Sequence, residues 1–220
     1  MIFTPDELSA FTGKPKGTPI YLAIVGDVFD VTSGRKHYGP GKSYSHMAGR
    51  DATKSFATGD SQNDLTDDVE GLDMEALQSI KGWHEFYVGH ENYTRMGVVI
   101  GRYYDASGNA IVPSAFPWER LKLDEERREA MKRSLPDCNS RWSQADGSEV
   151  WCTTKSGGIE RDWVGVPRLY SPSLDPSLEG ESSGRERCVC APSEEADKVY
   201  LRVYSACQPS AERCKVIKAS

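Results

Sequence analysis

The stretch that decides the fold reads Phe29-Asp30-Val31-Thr32-Ser33-Gly34-Arg35-Lys36-His37-Tyr38-Gly39-Pro40, and it continues through Tyr44 to Ala48-Gly49-Arg50-Asp51-Ala52. Tyr38 closes a Gly/Pro turn and Tyr44 follows six residues later. A rigid turn would project both tyrosines from one fixed platform. A short helix is predicted to start at Asp51 and to stop at Gly59.

Two interpretations of the tyrosine pair are open. A phenol oxygen suits a high-valent metal, because a bound cation makes phenolate available far below its free pKa of about 10. Ferric haem is the candidate, since tyrosine is one of the few side chains that ligate haem iron. The alternative is that both tyrosines cap a hydrophobic core beside a turn, and the spacing alone favours this alternative.

The quoted stretch resembles the signature of the membrane-associated progesterone receptor family, a branch of the cytochrome b5-like fold. The resemblance covers about residues 3–104 and is gapless through the motif. It implies an α+β protein in which a cytochrome b5-like haem-binding domain occupies residues 1–104. A cysteine-rich, loop-rich C-terminal region is predicted over residues 105–220.

The resemblance also implies a ligand set for ferric haem b. In the family, the tyrosine that matches Tyr44 supplies the axial oxygen to the iron, and the one that matches Tyr38 hydrogen-bonds nearby. A lysine–tyrosine pair assists, and it matches Asn92-Tyr93 here. Asn92 can donate a hydrogen bond but carries no positive charge, so a weaker haem affinity is expected. An anionic oxygen ligand favours Fe(III) and a low reduction potential.

The turn also differs from that of an ordinary cytochrome b5, which holds haem between two histidines, one of them in a His-Pro-Gly-Gly turn. The matching turn here is Tyr38-Gly39-Pro40-Gly41, so the usual first ligand is missing. This difference argues against a six-coordinate electron carrier. Of the four histidines, His46 is the alternative ligand to watch, because it lies two residues after Tyr44.

Composition excludes several partners. The chain has 220 residues, a net charge of −6 and a pI near 5.3, so a nucleic-acid partner is not expected. No apolar run approaches the roughly 20 residues that a membrane helix requires. The sequence from Met1 shows no basic-then-apolar leader, so a secreted protein would lack its signal peptide in this sequence. No triad, paired-carboxylate motif or phosphate loop is present, and no enzyme activity is expected.

All six cysteines lie in the last 83 residues of the chain, at positions 138, 152, 188, 190, 207 and 214. An even count in a polar region indicates disulfides formed in an oxidising compartment. Zinc is the competing interpretation, but no C-x-x-C pair is present and no histidine follows His90. Sequence cannot choose among the 15 connectivities that six cysteines allow.

Local signals predict the remaining elements. Thr4, Pro5 and Glu7 form a capping box for a first helix, which is expected to end at Gly13. Apolar runs on both sides of Gly26-Asp27 predict a hairpin. A further helix is predicted from Asp73, with Leu77, Ile80 and Trp83 in the core and Tyr87 left as a residue that could face a ligand. The remaining predictions are strands over 96–103 and 198–204, a charged helix over 118–135, and a mobile or disordered loop over 171–186.

Three functions remain open at this point. The resemblance to extracellular members of the family implies a secreted haem-binding protein that promotes neuronal differentiation or survival through a cell-surface receptor, with a haem-mediated dimer as one assembly. The second is an electron-transfer or cytochrome P450-supporting module. The third is a receptor-binding module whose pocket is vestigial. Steroid binding is implied by the family's name, and no residue supports it independently.

Overall fold

The computed structural model describes residues 1–111, 116–144, 147–178 and 185–216. It divides into two compact units, Met1–Leu123 and Asp124–Ser220. The domain boundary at residue 104 stays a prediction. Among the described residues, no helix has both the length and the apolar character needed to cross a membrane.

The first unit contains a four-stranded sheet with the order β1-β4-β3-β2. The predicted hairpin is confirmed as β2 (Tyr21–Ile24) and β3 (Asp27–Asp30), which pair antiparallel. Strand β1 (Ile2–Phe3) runs parallel to β4 (Thr94–Val99), which also pairs with β3. Strand β4 therefore starts two residues earlier and ends earlier than the sequence pattern predicted.

The hairpin turn lies at Val25-Gly26, one residue before the predicted position, and both residues have positive φ angles of 52° and 75°. Such angles match the twist of a two-residue hairpin but strain a β-branched residue. Two side chains hold the turn. The Val25 N–H donates to Thr53 Oγ1 over 2.7 Å, and the Gly26 N–H donates to Asp51 Oδ2 over 2.9 Å.

The predicted helix over 51–59 is wrong in its first half. Asp51 lies in a bridge beside β2, where Ala23 N–H donates to Arg50 O and Ala52 N–H donates to Ala23 O. These bonds keep residues 50–52 extended. The helix forms only over Ser55–Thr58 (α3) and stops at Gly59 in the left-handed conformation, as predicted.

Two other helices of this unit begin at the predicted caps, and a further short helix forms in the tyrosine loop, where none was predicted. Helix α1 (Pro5–Ser9) has the complete Thr4/Glu7 capping box, although it ends before Gly13. Helix α2 (Arg35–Tyr38) is a single turn that ends at the buried Tyr38. Helix α4 (Met74–Gly89) is capped by Asp73 and buries three side chains of its apolar face, which are Leu77, Ile80 and Tyr87.

Helix α5 (Trp118–Ser134) begins in the first unit, ends in the second, and matches the predicted charged helix. Two ion pairs at four-residue spacing, Asp124 with Arg128 and Glu129 with Arg133, lie along this helix. Leu121 is fully buried in the core of the first unit, so this turn of the helix is not a surface element.

The second unit contains two three-stranded sheets, with orders β10-β6-β5 and β8-β7-β9. Their strands are β5 (Asn139–Ser143), β6 (Gly147–Trp151), β7 (Val166–Tyr170), β8 (Arg187–Ala191), β9 (Leu201–Arg202) and β10 (Arg213–Val216). Of the strand predicted over 198–204, the two residues of β9 form a strand. In the loop predicted over 171–186, two short 3-10 turns form at Pro172–Leu174 and Pro176–Leu178, and residues 179–184 lie outside the described part.

Three disulfides confirm that the cysteines are paired: Cys138–Cys188, Cys152–Cys190 and Cys207–Cys214. Strand β8 carries one partner of each of the first two bonds, on either side of the buried Val189. A small apolar core accompanies them, with Leu135, Val166, Tyr170, Val189, Ala191, Ala196 and Leu201 in contact. The disulfides therefore reinforce a core rather than replace one.

Candidate functional site

A cleft of about 370 Å³ opens beside the tyrosine loop of the first unit. The loop after α2, helix α3 and helix α4 form its walls. Its lining residues are Tyr38, Ser43, Tyr44, His46, Met47, Ser55, Phe56, Gly59, Ser61, Trp83 and Tyr87. Aromatic rings dominate the walls, and a few polar atoms line the rim, as in many sites for flat organic ligands.

Tyr44 is the exposed phenol of the cleft, with 49% of its surface accessible. Its backbone N–H donates to His37 O over 3.1 Å, which fixes the loop at this residue. Within the described part of the chain, the Tyr44 hydroxyl has no hydrogen-bond partner. Tyr44 can therefore offer its oxygen to a ligand without breaking an internal bond.

Tyr38 lies deeper, and its hydroxyl oxygen is 2.6 Å from that of Tyr87 on α4. Burial raises the pKa of Tyr38 to about 12, although the bond to Tyr87 acts in the opposite direction. Burial also raises the pKa of Tyr87, and the neighbouring Tyr38 adds to this effect. Both phenols consequently stay neutral at physiological pH and serve as hydrogen-bonding groups.

The structure brings Tyr93 close to this pair but not into the cleft lining. Its ring stacks on Tyr87 with centroids 5.6 Å apart and on His90 at 3.8 Å, and it lies 6.2 Å from Tyr38. Asn92 is exposed and lines a separate hollow with Glu85, Phe86, Gly89, His90 and Glu91. Of the four residues predicted for the site, Tyr38 and Tyr44 share the cleft, Tyr93 supports it, and Asn92 lies outside it.

Sequence reasoning missed one contributor to the cleft, Trp83, and left a second one, Tyr87, open. Trp83 was expected in the core, but it is 41% exposed and lines the cleft, with its ring 5.8 Å from that of Phe56. Tyr87 proves to be both buried and the partner of Tyr38. The sequence left Tyr87 as a residue that could face a ligand, and it does line the cleft, whereas its bond to Tyr38 was not predicted.

The residues of the cleft fit a haem group. The rings of Phe56, Trp83 and Tyr87 offer apolar walls to a flat macrocycle, and Tyr44 offers a phenol oxygen that needs no other partner. His46 also lines the cleft, with its ring centroid 6.4 Å from that of Tyr44. Tyr44 and His46, whose side chains are both known types of haem-iron ligand, therefore line the same cleft.

Comparisons with known proteins agree with this geometry. Residues 4–103 match the cytochrome b5-like heme/steroid binding domain. Neuferricin of Danio rerio is 39% identical over 227 residues, which cover 99% of this chain and 80% of that protein. The membrane-associated progesterone-binding protein 4 of Arabidopsis thaliana is 38% identical over 228 residues, covering 98% and 84% of the two chains. Neuferricin of Mus musculus is 38% identical over 236 residues, covering 97% and 85%.

An α+β domain whose four-stranded sheet and helices frame an open, aromatic cleft defines the cytochrome b5-like class, and the predicted fold class is confirmed. The chain belongs to the cytochrome b5-like heme/steroid binding family, in the branch that includes neuferricin and the membrane-associated progesterone-binding proteins. The family resemblance of the Phe29–Ala52 stretch is thereby confirmed as well.

Proposed function

We propose that this chain is a secreted protein that binds ferric haem b in the tyrosine-lined cleft, with Tyr44 as the iron ligand. The observation that carries the proposal is the exposed Tyr44 hydroxyl, which has no internal partner among the described residues and lies in an aromatic cleft. When bound, haem supplies a Lewis-acidic ferric centre that stabilises phenolate.

The neighbouring residues have distinct roles in this proposal. Tyr38 and Tyr87 are neutral phenols whose ionisation burial makes still harder by raising their pKa, so they shape the cleft and donate hydrogen bonds. Tyr93 buttresses Tyr87 by stacking. Asn92 would act from the neighbouring hollow, as a hydrogen-bond donor towards a propionate at the edge of the cleft. Its lack of charge favours a moderate haem affinity.

The test is a titration of the full chain with hemin, followed by absorption spectroscopy. Tyr44→Phe is expected to lose most haem binding and the charge-transfer absorbance of a ferric phenolate. Tyr38→Phe removes a hydrogen bond worth about 0.5–1.5 kcal/mol, so binding should weaken roughly two- to thirteenfold. Tyr93→Phe keeps the ring that stacks on Tyr87 and should weaken binding less. Asn92→Lys should strengthen it. Tyr204→Phe, in the second unit, is the matched control and should bind normally.

One result would overturn the ligand assignment: Tyr44→Phe binds hemin normally while a His46 or His90 variant does not. His46 motivates the second candidate function, electron transfer or support of a cytochrome P450, because it lines the same cleft as Tyr44. A six-coordinate, histidine-type spectrum and a reduction potential typical of b5 proteins would favour that function. A five-coordinate ferric spectrum with a low potential would favour haem binding or sensing.

Secretion and a signalling role rest on two supports. Three disulfides are typical of proteins from oxidising compartments. Several of the similar proteins carry the name neuferricin, which motivates a role in neuronal differentiation through a cell-surface receptor. Adding the purified haem-loaded protein to neuronal precursor cells, with Tyr44→Phe as the control, tests this role. Sedimentation with and without hemin tests the haem-mediated dimer.

A further inference from the structure

A second hollow of about 400 Å³ lies on the first unit and has a different character from the cleft. Its lining residues are Gly13, Lys14, Lys16, Arg35, Gly39, Pro40 and Lys42. Four of these seven residues carry a positive charge and none carries a negative one. We call this surface the basic hollow.

The basic hollow is positively charged, whereas the chain as a whole is negatively charged. The whole protein has a net charge of −6, whereas residues 10–50 contain six lysines and arginines against two aspartates. Among the described residues, none of the four cations of the hollow forms an ion pair with a carboxylate. Unpaired like charges repel one another, so their concentration on one concave surface indicates an anionic partner.

The hollow is built rather than incidental. The Arg35 guanidinium is half-buried, and its Nη2 donates to Thr18 O over 2.5 Å while Nη1 donates to Gly13 O over 3.4 Å. A guanidinium has five N–H donors, so donors remain for a ligand. Gly39 allows the wall to close on Arg35, because a Cβ at this residue would lie 2.5 Å from Arg35 O.

The chemistry of the lining selects the class of ligand. Lysine ammonium groups bind sulfate and phosphate esters as point charges, and arginine adds directed donors. A volume of about 400 Å³ accommodates a sugar ring with its charged substituents. Adsorption to a lipid surface would benefit from large apolar side chains beside the charges, and the described lining contains none.

We infer that Lys14, Lys16, Arg35 and Lys42 form a binding site for a sulfated glycan. A glycan is the expected carrier of the sulfate groups, because the three disulfides indicate a compartment outside the cytosol, where sulfated polysaccharides occur. Lys42 lies two residues before Tyr44, so one loop contributes to the cleft and to the basic hollow. The glycan site stands independently of the haem proposal.

The experiment measures the affinity of the full chain for a heparin octasaccharide by titration calorimetry at several NaCl concentrations. The triple variant Lys14→Gln/Lys16→Gln/Lys42→Gln should bind at least tenfold more weakly and should show a shallower dependence on salt, because fewer counterions are released. The control Lys122→Gln/Lys132→Gln/Lys215→Gln removes the same charge from exposed lysines elsewhere. It should lose less than threefold.

Equal losses in the two triple variants would overturn the inference, since net charge alone would then explain binding. Binding of the wild type to vesicles of phosphatidylcholine and phosphatidylserine, weakened by the same triple variant while the octasaccharide binds poorly, would assign the hollow to a lipid surface instead. Hemin titration and thermal melting report whether the variants fold. If the triple variant does not fold, the single variants Lys16→Gln and Lys42→Gln must each weaken octasaccharide binding, and unchanged affinity in both refutes the site.

Discussion

The hydroxyl oxygens of Tyr38 and Tyr87 lie 2.6 Å apart and join the loop that carries the exposed Tyr44 to helix α4. This bond is buried, and burial raises the pKa of both phenols further above the physiological range. The position of one wall of the cleft therefore depends on a pair of residues that lie 49 positions apart in the chain.

Tyr38→Phe or Tyr87→Phe alone leaves one buried hydroxyl without its partner. We expect each single variant to lower the free energy of unfolding by about 1–3 kcal/mol, because the remaining hydroxyl is desolvated and unpaired. The double variant should lower the free energy of unfolding by no more than either single variant does. Urea unfolding of the four proteins in a double-mutant cycle measures this coupling, and purely additive losses would show that the hydroxyls do not interact.

Asp51 makes the stability of the first unit depend on pH. Burial raises the pKa of Asp51 to about 6, although hydrogen bonds from Thr53 and Gly26 oppose the shift. A carboxyl whose pKa is raised in the folded state contributes stability that is full below its unfolded pKa of about 3.9 and is lost as the pH rises through 6.

Asp51→Asn should remove this dependence. The stability of the wild type relative to Asp51→Asn should therefore fall by up to about 3 kcal/mol between pH 4 and pH 7, at 1.36 kcal/mol per unit of pKa. Urea unfolding of both proteins at half-unit pH intervals measures the difference. A difference that stays constant over this range would contradict the raised pKa.

Asp27 at the start of β3 joins the sheet to α4. Its carboxylate accepts hydrogen bonds from His84 Nε2 over 2.8 Å and from Arg95 Nη2 over 2.6 Å. Burial acts to raise the pKa of Asp27, but these bonds, together with that from Tyr104, hold it below its usual range. Asp27 therefore remains ionised inside the fold and depends on its partners.

Arg95→Met should lower the free energy of unfolding by about 1–3 kcal/mol, because it strips a partner from a buried carboxylate. Arg102→Met is the matched control, since Arg102 pairs with the more exposed Asp68 and its loss should cost less than about 1 kcal/mol. Thermal and urea unfolding of both variants decide the point. Equal losses would mean that the burial of Asp27 does not matter to its ion pair.

The disulfides differ in the length of chain that they close. Cys152–Cys190 spans 38 residues and Cys207–Cys214 spans 7. The loop-closure relation predicts losses of about 4 kcal/mol and about 2.4 kcal/mol when these bonds are removed by paired Cys→Ser substitutions. Urea unfolding of the two double variants measures which disulfide contributes more to the free energy of unfolding. A larger loss for the short loop would show that local packing outweighs chain entropy.

Local signals in the sequence predicted much of the fold. The Thr4 and Asp73 caps, the hairpin and the pairing of all six cysteines follow from side chains that act on their immediate neighbours or from composition. The family resemblance pointed to Tyr38 and Tyr44, which the structure places in one cleft. These features need no knowledge of distant contacts.

Long-range contacts account for the rest. Asp51 does not start a helix because its carboxylate bonds Gly26, a residue 25 positions away on the hairpin. Trp83 faces the cleft, although its spacing on α4 matches that of buried residues, because the loop of Tyr44 leaves that wall open. The position of Asn92 outside the cleft depends on the path of the chain after α4, which local preferences do not determine.

Strand β8 carries Cys188 and Cys190, whose partners Cys138 and Cys152 both precede the long segment between residues 152 and 188. Any single peptide-bond cleavage within that segment leaves two pieces that stay joined by both disulfides. A protease could nick the protein there without releasing a fragment, and the cut would become visible only on a reducing gel. After such a cut the protein would consist of two polypeptides that only reduction of Cys138–Cys188 and Cys152–Cys190 separates.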